Sequence, residues 1–232
     1  DGSLTGGAII SKFTVTPGRY EIRMKVAPNL GVCNAFWLYT EDESSRNHEL
    51  DFELPGWNTE NKLSYNQIVC SSWLGENKHE KTDAAVVNNA ADGEYHTFVF
   101  DWYYSTNNKC VDYYYDGVKI ASHYNNIPFY ENRVWIGAWI PNNANFVGSP
   151  DFEMSVMDID YFSYTPFKNQ TYTENTPYVS SSQVANENKF PLKGAIEINN
   201  KFPNGDFEYL SKREQNYGKS GINYIGNYEF VF

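Results

Sequence analysis

Apolar and polar residues alternate with a period of two along much of the chain. Arg19-Tyr20-Glu21-Ile22-Arg23-Met24-Lys25-Val26 puts Tyr20, Ile22, Met24 and Val26 on one face and four charges on the other, as a half-buried strand requires. Asn34-Ala35-Phe36-Trp37-Leu38-Tyr39 reads as a more buried strand. Further strands are predicted over Leu63 to Trp73, His96 to Tyr103, Val111 to Tyr115 with a turn at Asp116-Gly117, Val134 to Ile140, and Met154 to Tyr164. No segment sustains a helical repeat. Many short strands punctuated by Gly, Pro and Asn predict an all-β fold, an antiparallel β-sandwich or jelly roll.

The length of 232 residues fits one large all-β domain, or one domain and a fragment of another. Residues 1–167 carry the strand patterns. Residues 168–189 are rich in Asn, Thr, Ser and Gln and read as a connecting segment. Residues 190–232 form a Tyr- and Gly-rich tail, expected to pack on the same sandwich.

Composition narrows the partners. Aromatic residues make up 17% of the chain, a surplus that suits β-structure and a surface able to stack on flat ligands. The formal net charge is −11 and no Lys/Arg cluster occurs, so electrostatics oppose a nucleic-acid partner. No apolar run approaches the length of a membrane span, and no signal peptide is visible. Cys33, Cys70 and Cys110 are too few and too scattered for a zinc ribbon or a disulfide framework. They are expected to be buried small hydrophobes, with one disulfide and a leftover thiol as the alternative. His48, His79, His96 and His123 show no metal-ligand spacing.

One segment departs from ordinary strand patterning. In His48-Glu49-Leu50-Asp51-Phe52-Glu53-Leu54-Pro55-Gly56, three acids occupy alternate positions and share one face, while Leu50, Phe52 and Leu54 share the other. A solvated strand face is the ordinary explanation. Against it, no Lys or Arg relieves the repulsion, and like charges on neighbouring positions destabilise. The Cα atoms of Glu49 and Glu53 lie ~13 Å apart on a regular strand. Side chains leaning inward bring the carboxyls to ~6 Å, between the ~5–5.5 Å of retaining and the ~6.5–9.5 Å of inverting glycosidases, so both carboxylates can flank one sugar linkage while the spacing leaves both outcomes open. Crowding also spreads the pKa values, so that one carboxyl can stay protonated as a general acid.

These residues resemble the E-x-D-x-E signature of glycoside hydrolase family 16, the retaining endo-β-glucanases and their relatives. The resemblance extends to Gly6-Gly7-Ala8-Ile9-Ile10-Ser11-Lys12, to Gly18 through Lys25, to Ala35-Phe36-Trp37-Leu38, to Gly93 through Trp102, to Tyr114-Tyr115-Asp116-Gly117 and to Met157 through Phe162, in order over about residues 5 to 167. It implies a concanavalin-like jelly roll with a concave substrate groove. Glu49 would be the nucleophile, Glu53 the acid/base and Asp51 the assisting carboxylate. The lack of an extra residue between Asp51 and Glu53 resembles the lichenase and xyloglucan-active branch rather than the laminarinase-like members, which carry a bulge there. Gly137 stands where lichenases have Asn, Phe146 where a Trp is expected, and Pro55-Gly56-Trp57-Asn58 is not the usual lichenase sequence. Substrate identity is therefore not carried over from any one branch.

Trp139, Trp57, Trp135, Trp37 and Trp73 are candidate sugar platforms, Trp139 by its family position and Trp57 by adjacency to the acidic strand. Trp135, four residues before Trp139, is expected on the same face. His48 is expected beside Glu49 in the groove, and Asn66 near a polar subsite. Family members often hold one structural calcium on the convex side, and Asp160 stands at the matching position, although one carboxylate supplies little of a shell of six to eight oxygens. No cofactor is required.

The resulting expectation is an endo-acting retaining hydrolase of a polysaccharide, a β-1,3-1,4- or β-1,3-glucan, monomeric and secreted or at the cell surface. A transglycosylase and a non-catalytic lectin-like protein are the rival readings. Because such a domain usually has strands before Gly6-Gly7, the expectation is either that residues after about 168 supply them as permuted strands or that an N-terminal piece is missing; Asn204-Gly205-Asp206-Phe207-Glu208 alternatively resembles the opening of a carbohydrate-binding module.

Overall fold

The computed structural model describes residues 6–11, 13–56, 65–86, 89–150, 152–174 and 207–209. Eleven strands run in order through the body of the fold: β1 (Gly7–Ser11), β2 (Gly18–Lys25), β3 (Cys33–Glu41), β4 (Asn47–Pro55), β5 (Gln67–Leu74), β6 (His79–Ala85), β7 (His96–Tyr104), β8 (Lys109–Tyr115), β9 (Val118–His123), β10 (Arg133–Trp139) and β11 (Asp158–Pro166). A four-residue helix, α1 (Ala144–Val147), lies between β10 and β11, and β12 (Phe207–Tyr209) follows in the tail. The strands form two antiparallel sheets packed as a jelly-roll sandwich, one ordered β12-β1-β10-β3-β4-β5-β6 and the other β11-β2-β7-β8-β9. No helix among the described residues is long and apolar enough to cross a membrane.

The core fills the space between the sheets. Leu50, Phe52 and Leu54 of β4 meet Phe98, Phe100 and Trp102 of β7 and Tyr113 of β8, all fully buried. Phe52 lies 5.8 Å from Phe98, 5.9 Å from Phe100 and 5.2 Å from Tyr113 between ring centroids, so aromatic side chains from both sheets interlock. The Trp102 indole donates to the Pro128 carbonyl at 3.0 Å, satisfying the one polar atom of the largest core residue. The three cysteines are free and buried, as small hydrophobes.

Several elements differ from the sequence pattern. Of the strand expected over Leu63 to Trp73, Leu63 and Ser64 lie outside the described residues and β5 runs from Gln67; just before it, Tyr65 adopts a positive φ of 54° and donates its hydroxyl to the Asn29 carbonyl at 2.6 Å. The strand expected from Met154 begins at Asp158. Two strands without a clear alternating signal also appear. β9 follows the Asp116-Gly117 turn, whose residues both take positive φ, 47° and 78°, as a two-residue hairpin requires. β6, sequence HEKTDAA, is an edge strand held by pairing with β5.

In the tail, β12 pairs antiparallel with β1 from Ser11↔Phe207 to Ile9↔Tyr209. The remaining residues from 190 onward, and most of the connecting segment, lie outside the described residues.

Candidate active site

β4 sits inside the seven-stranded sheet, flanked by β3 and β5. Its register is unbroken against β3 from Asn47 to Pro55 and against β5 from His48 to Glu53, so the period of two holds through the acidic segment. With Leu50, Phe52 and Leu54 in the core, Glu49, Asp51 and Glu53 share the sheet's outer face.

Pairing places defined neighbours around each acid. Glu49 stands between Tyr39 and Trp73, Asp51 between Trp37 and Ser71, and Glu53 between Ala35 and Val69. One strand further out, Trp135 pairs with Trp37, Gly137 with Ala35, and Trp139 with Cys33. On the opposite side, Trp73 pairs with His79, Ser71 with Lys81 and Val69 with Asp83. Trp37, Trp135 and Trp139 are half-buried and line the same face as the acids. Trp37 and Trp135 stack at 5.4 Å with 26° between planes, and Tyr39 meets Trp135 edge-on at 6.2 Å.

Each carboxyl is held differently. The Asn47 amide donates to Glu49 Oε2 at 2.7 Å, and Ser71 Oγ donates to Asp51 Oδ2 at 2.6 Å. The Cys33 thiol donates to Glu53 Oε1 at 3.9 Å, and Trp139 hydrogen-bonds the Cys33 sulfur. Burial drives the titration of all three acids upward. Glu49 rises from 4.5 to about 7, against the hydrogen bonds from Asn47 and Asp51, which favour its charged form. Glu53 rises to about 7 through burial and then the charge of Glu49, partly offset by Lys81. Asp51, buried between two glutamates, rises well above the ordinary carboxylate range. The strand therefore holds protons near neutral pH: the hydrogen bonds from Asn47 and Asp51 favour the charged form of Glu49, and the charge of Glu49 disfavours that of Glu53.

The other expected residues divide. Trp37, Trp135 and Trp139 join the acids. Asn66 lies in the bend before β5, beyond the Glu53 end of the acidic row. Trp57 lies outside the described residues. His48 is not beside Glu49: it shares parity with Leu50 and is fully buried on the opposite face, against the rings of Phe129 at 4.7 Å and Tyr130 at 4.6 Å. Asp160 sits at a register shift in β11 and its side chain is ion-paired with Arg23 at the surface. Among the described residues, no group of three or more His, Cys, Asp and Glu is placed to hold a metal ion. Asn47, Ser71 and Cys33 were not singled out as site residues from sequence. For Asn47 the signal was there, at the alternate position before Glu49; for Ser71 and Cys33 it needed the register.

Comparison with known proteins agrees with this arrangement. The family model described as "Glycosyl hydrolases family 16" matches residues 2–162. A beta-glucanase from Acetivibrio thermocellus is 26% identical over 204 residues, covering 84% of this chain and 56% of that protein. A beta-glucanase from Bacillus amyloliquefaciens is 31% identical over 123 residues, covering 53% of this chain and 47% of that one. The chain thus spans about half the length of these relatives. The crystal structure of a β-1,3-1,4-glucanase (lichenase) from a mouse hindgut metagenome superposes with a TM-score of 0.56 at 18% identity, covering 70% of this chain and 79% of that one, a likeness of fold. With its acids aligned on one outer strand face and the family model spanning both sheets, this chain belongs to glycosyl hydrolases family 16.

Proposed function

We propose that this protein is an endo-acting retaining glycoside hydrolase that cleaves internal β-glycosidic bonds of a β-glucan, β-1,3-1,4- or β-1,3-linked, by double displacement. The observation that carries this reading is the row Glu49, Asp51 and Glu53 on one outer face, with indole rings on the neighbouring strands. Glu49 attacks the anomeric carbon while Glu53 gives its proton to the departing oxygen. Glu53 then takes a proton from water, and the oxygen of that water displaces Glu49 from the anomeric carbon. A titration near 7 suits a group that must both give and take a proton around neutral pH. Asp51 assists Glu49 through the hydrogen bond between them. The Trp37–Trp135 pair and Trp139 stack on sugar rings.

Catalysis by this family needs no cofactor. Calcium forms no part of the proposal, because a cation at Asp160 would have to displace Arg23. The reading extends to a monomer acting on polysaccharide outside the cell, and the β12 pairing supports placing residues 207–209 on the same sandwich.

The test is incubation with barley β-glucan, laminarin, xyloglucan and agarose, followed by oligosaccharide sizing. Short products of mixed size from either of the first two are expected, with net gain of reducing ends. Cleavage of agarose alone would overturn the substrate class, and chain exchange without new reducing ends would make the protein a transglycosylase.

A further inference from the structure

A second row of polar atoms meets the carboxylates from β5. Trp73 Nε1 lies 3.0 Å from Ser71 Oγ, and Ser71 Oγ lies 2.6 Å from Asp51 Oδ2. An indole nitrogen can only donate. Trp73 therefore occupies a lone pair of Ser71 and turns the hydroxyl hydrogen toward Asp51. Ser71 is 1% exposed and Asp51 5%, so bulk water does not compete for these bonds.

The chain is held at both ends. From the core side, the Tyr113 hydroxyl donates to the Ser71 carbonyl at 2.7 Å and fixes the backbone of β5 at this point. From the outer side, His79 stacks on the Trp73 ring at 4.1 Å with 25° between planes. Beyond Asp51, the next link is its hydrogen bond to Glu49, in which Asp51 is the donor. With Oδ2 accepting from Ser71, the Asp51 proton belongs on the other oxygen. Glu49 then receives hydrogen bonds from both Asp51 and Asn47, which favour its charged form.

We propose that Ser71 and Trp73 are positioning residues of the active site: Trp73 orients the Ser71 hydroxyl, and Ser71 directs the Asp51 proton to Glu49. Neither touches the reacting atoms in this role. The inference rests on the hydrolase reading given above, with Glu49 as nucleophile.

The experiment is a double-mutant cycle on the full chain, with kcat and KM measured on barley β-glucan across pH. Ser71→Ala should lower kcat about tenfold and leave KM within about twofold, because the loss falls on the transition state. Trp73→Phe keeps an aromatic ring but removes the N–H, and should lower kcat about threefold. The double variant should be no slower than Ser71→Ala alone, since Trp73 then has no hydroxyl to orient. In Ser71→Ala the acid limb of kcat/KM should also move up by about half a pH unit, as Glu49 becomes easier to protonate. The other ionisable groups facing this pair are Cys33, Tyr39 and Glu41 on β3, Glu53 on β4, His79, Lys81 and Asp83 on β6, and Arg133 on β10. All are present in both proteins, so the displacement reports Ser71. Melting temperatures check that each variant folds; if Ser71→Ala does not, Trp73→Phe with its pH profile carries the test.

Rate losses that multiply in the double variant would overturn the proposal, as would a raised KM at unchanged kcat, which marks both residues as sugar contacts only. A wild-type protein that cleaves no glucan would instead remove the hydrolase reading itself.

Discussion

Replacing Glu53 with glutamine should make the protein more stable, and only above the acid range. Burial and the neighbouring charge of Glu49 lift Glu53 from 4.5 to about 7 in the folded state. A group raised in this way holds its proton in the folded protein after the unfolded chain has released it. Its ionisation therefore costs nothing below pH ~4.5, costs progressively more up to pH ~7, and costs a constant amount beyond. The gap corresponds to ~3 kcal/mol, which solvent reaching the half-buried carboxyl trims to about 1–3 kcal/mol. Glutamine keeps the shape and cannot ionise, so the cost disappears. It also relieves Asp51, which Glu53 pushes in the same direction. Urea denaturation at pH 5 and pH 8 measures the effect, provided both proteins unfold in one step with equal slopes. The advantage of Glu53→Gln over wild type should be about 1–3 kcal/mol larger at pH 8 than at pH 5, while hydrolysis is lost. An advantage that does not change between the two pH values would refute the reasoning.

His48 should act in the opposite sense: burial holds it down to about 4, so the unfolded chain takes up a proton first and stability falls by ~3 kcal/mol as pH drops from 6.5 to 4. His48→Phe, tested by urea denaturation over that range, should remove this part of the acid dependence. Gly137→Ala would put a Cβ 2.3 Å from the Gly7 carbonyl oxygen and 2.7 Å from Ala8 Cα, forcing β1 and β10 apart. A loss of ~1–3 kcal/mol is expected, read as a lower melting temperature. Phe52→Ala empties a fully buried site between the sheets and should cost ~3–5 kcal/mol in chemical denaturation.

How far the sequence reaches depends on whether a residue's surroundings are local. β2 and β4 were legible because one face enters the core, so alternation survives in the residue types. β6 was not, because an edge strand with only Ala84 buried needs no apolar alternation. The parity that grouped Glu49, Asp51 and Glu53 also placed His48 with Leu50, and adjacency to Glu49 was the weaker guide. Trp37 and Trp135 were legible as aromatics on the acidic face, but their stacking depends on the pairing of β3 with β10. The Trp73–Ser71–Asp51 chain depends in the same way on the pairing of β4 with β5, which no local pattern encodes. Asp160 matched a family position, and its ion pair with Arg23 and its place at a register shift depend on the pairing of β11 with β2, which only the sheet reveals.

The division of labour between Glu49 and Glu53 is the centre of this account, and chemical rescue tests it most directly. Glu53→Ala, given an aryl β-glycoside with a good leaving group, should still form the glycosyl-enzyme at Glu49, because that step then needs no proton. Polysaccharide, whose leaving group needs one, should be hydrolysed far more slowly. Added azide should restore turnover of the aryl glycoside and release a β-glycosyl azide, the product of two inversions at the anomeric carbon. An α-glycosyl azide, or hydrolysis of polysaccharide by Glu53→Ala at the wild-type rate, would contradict the assignment.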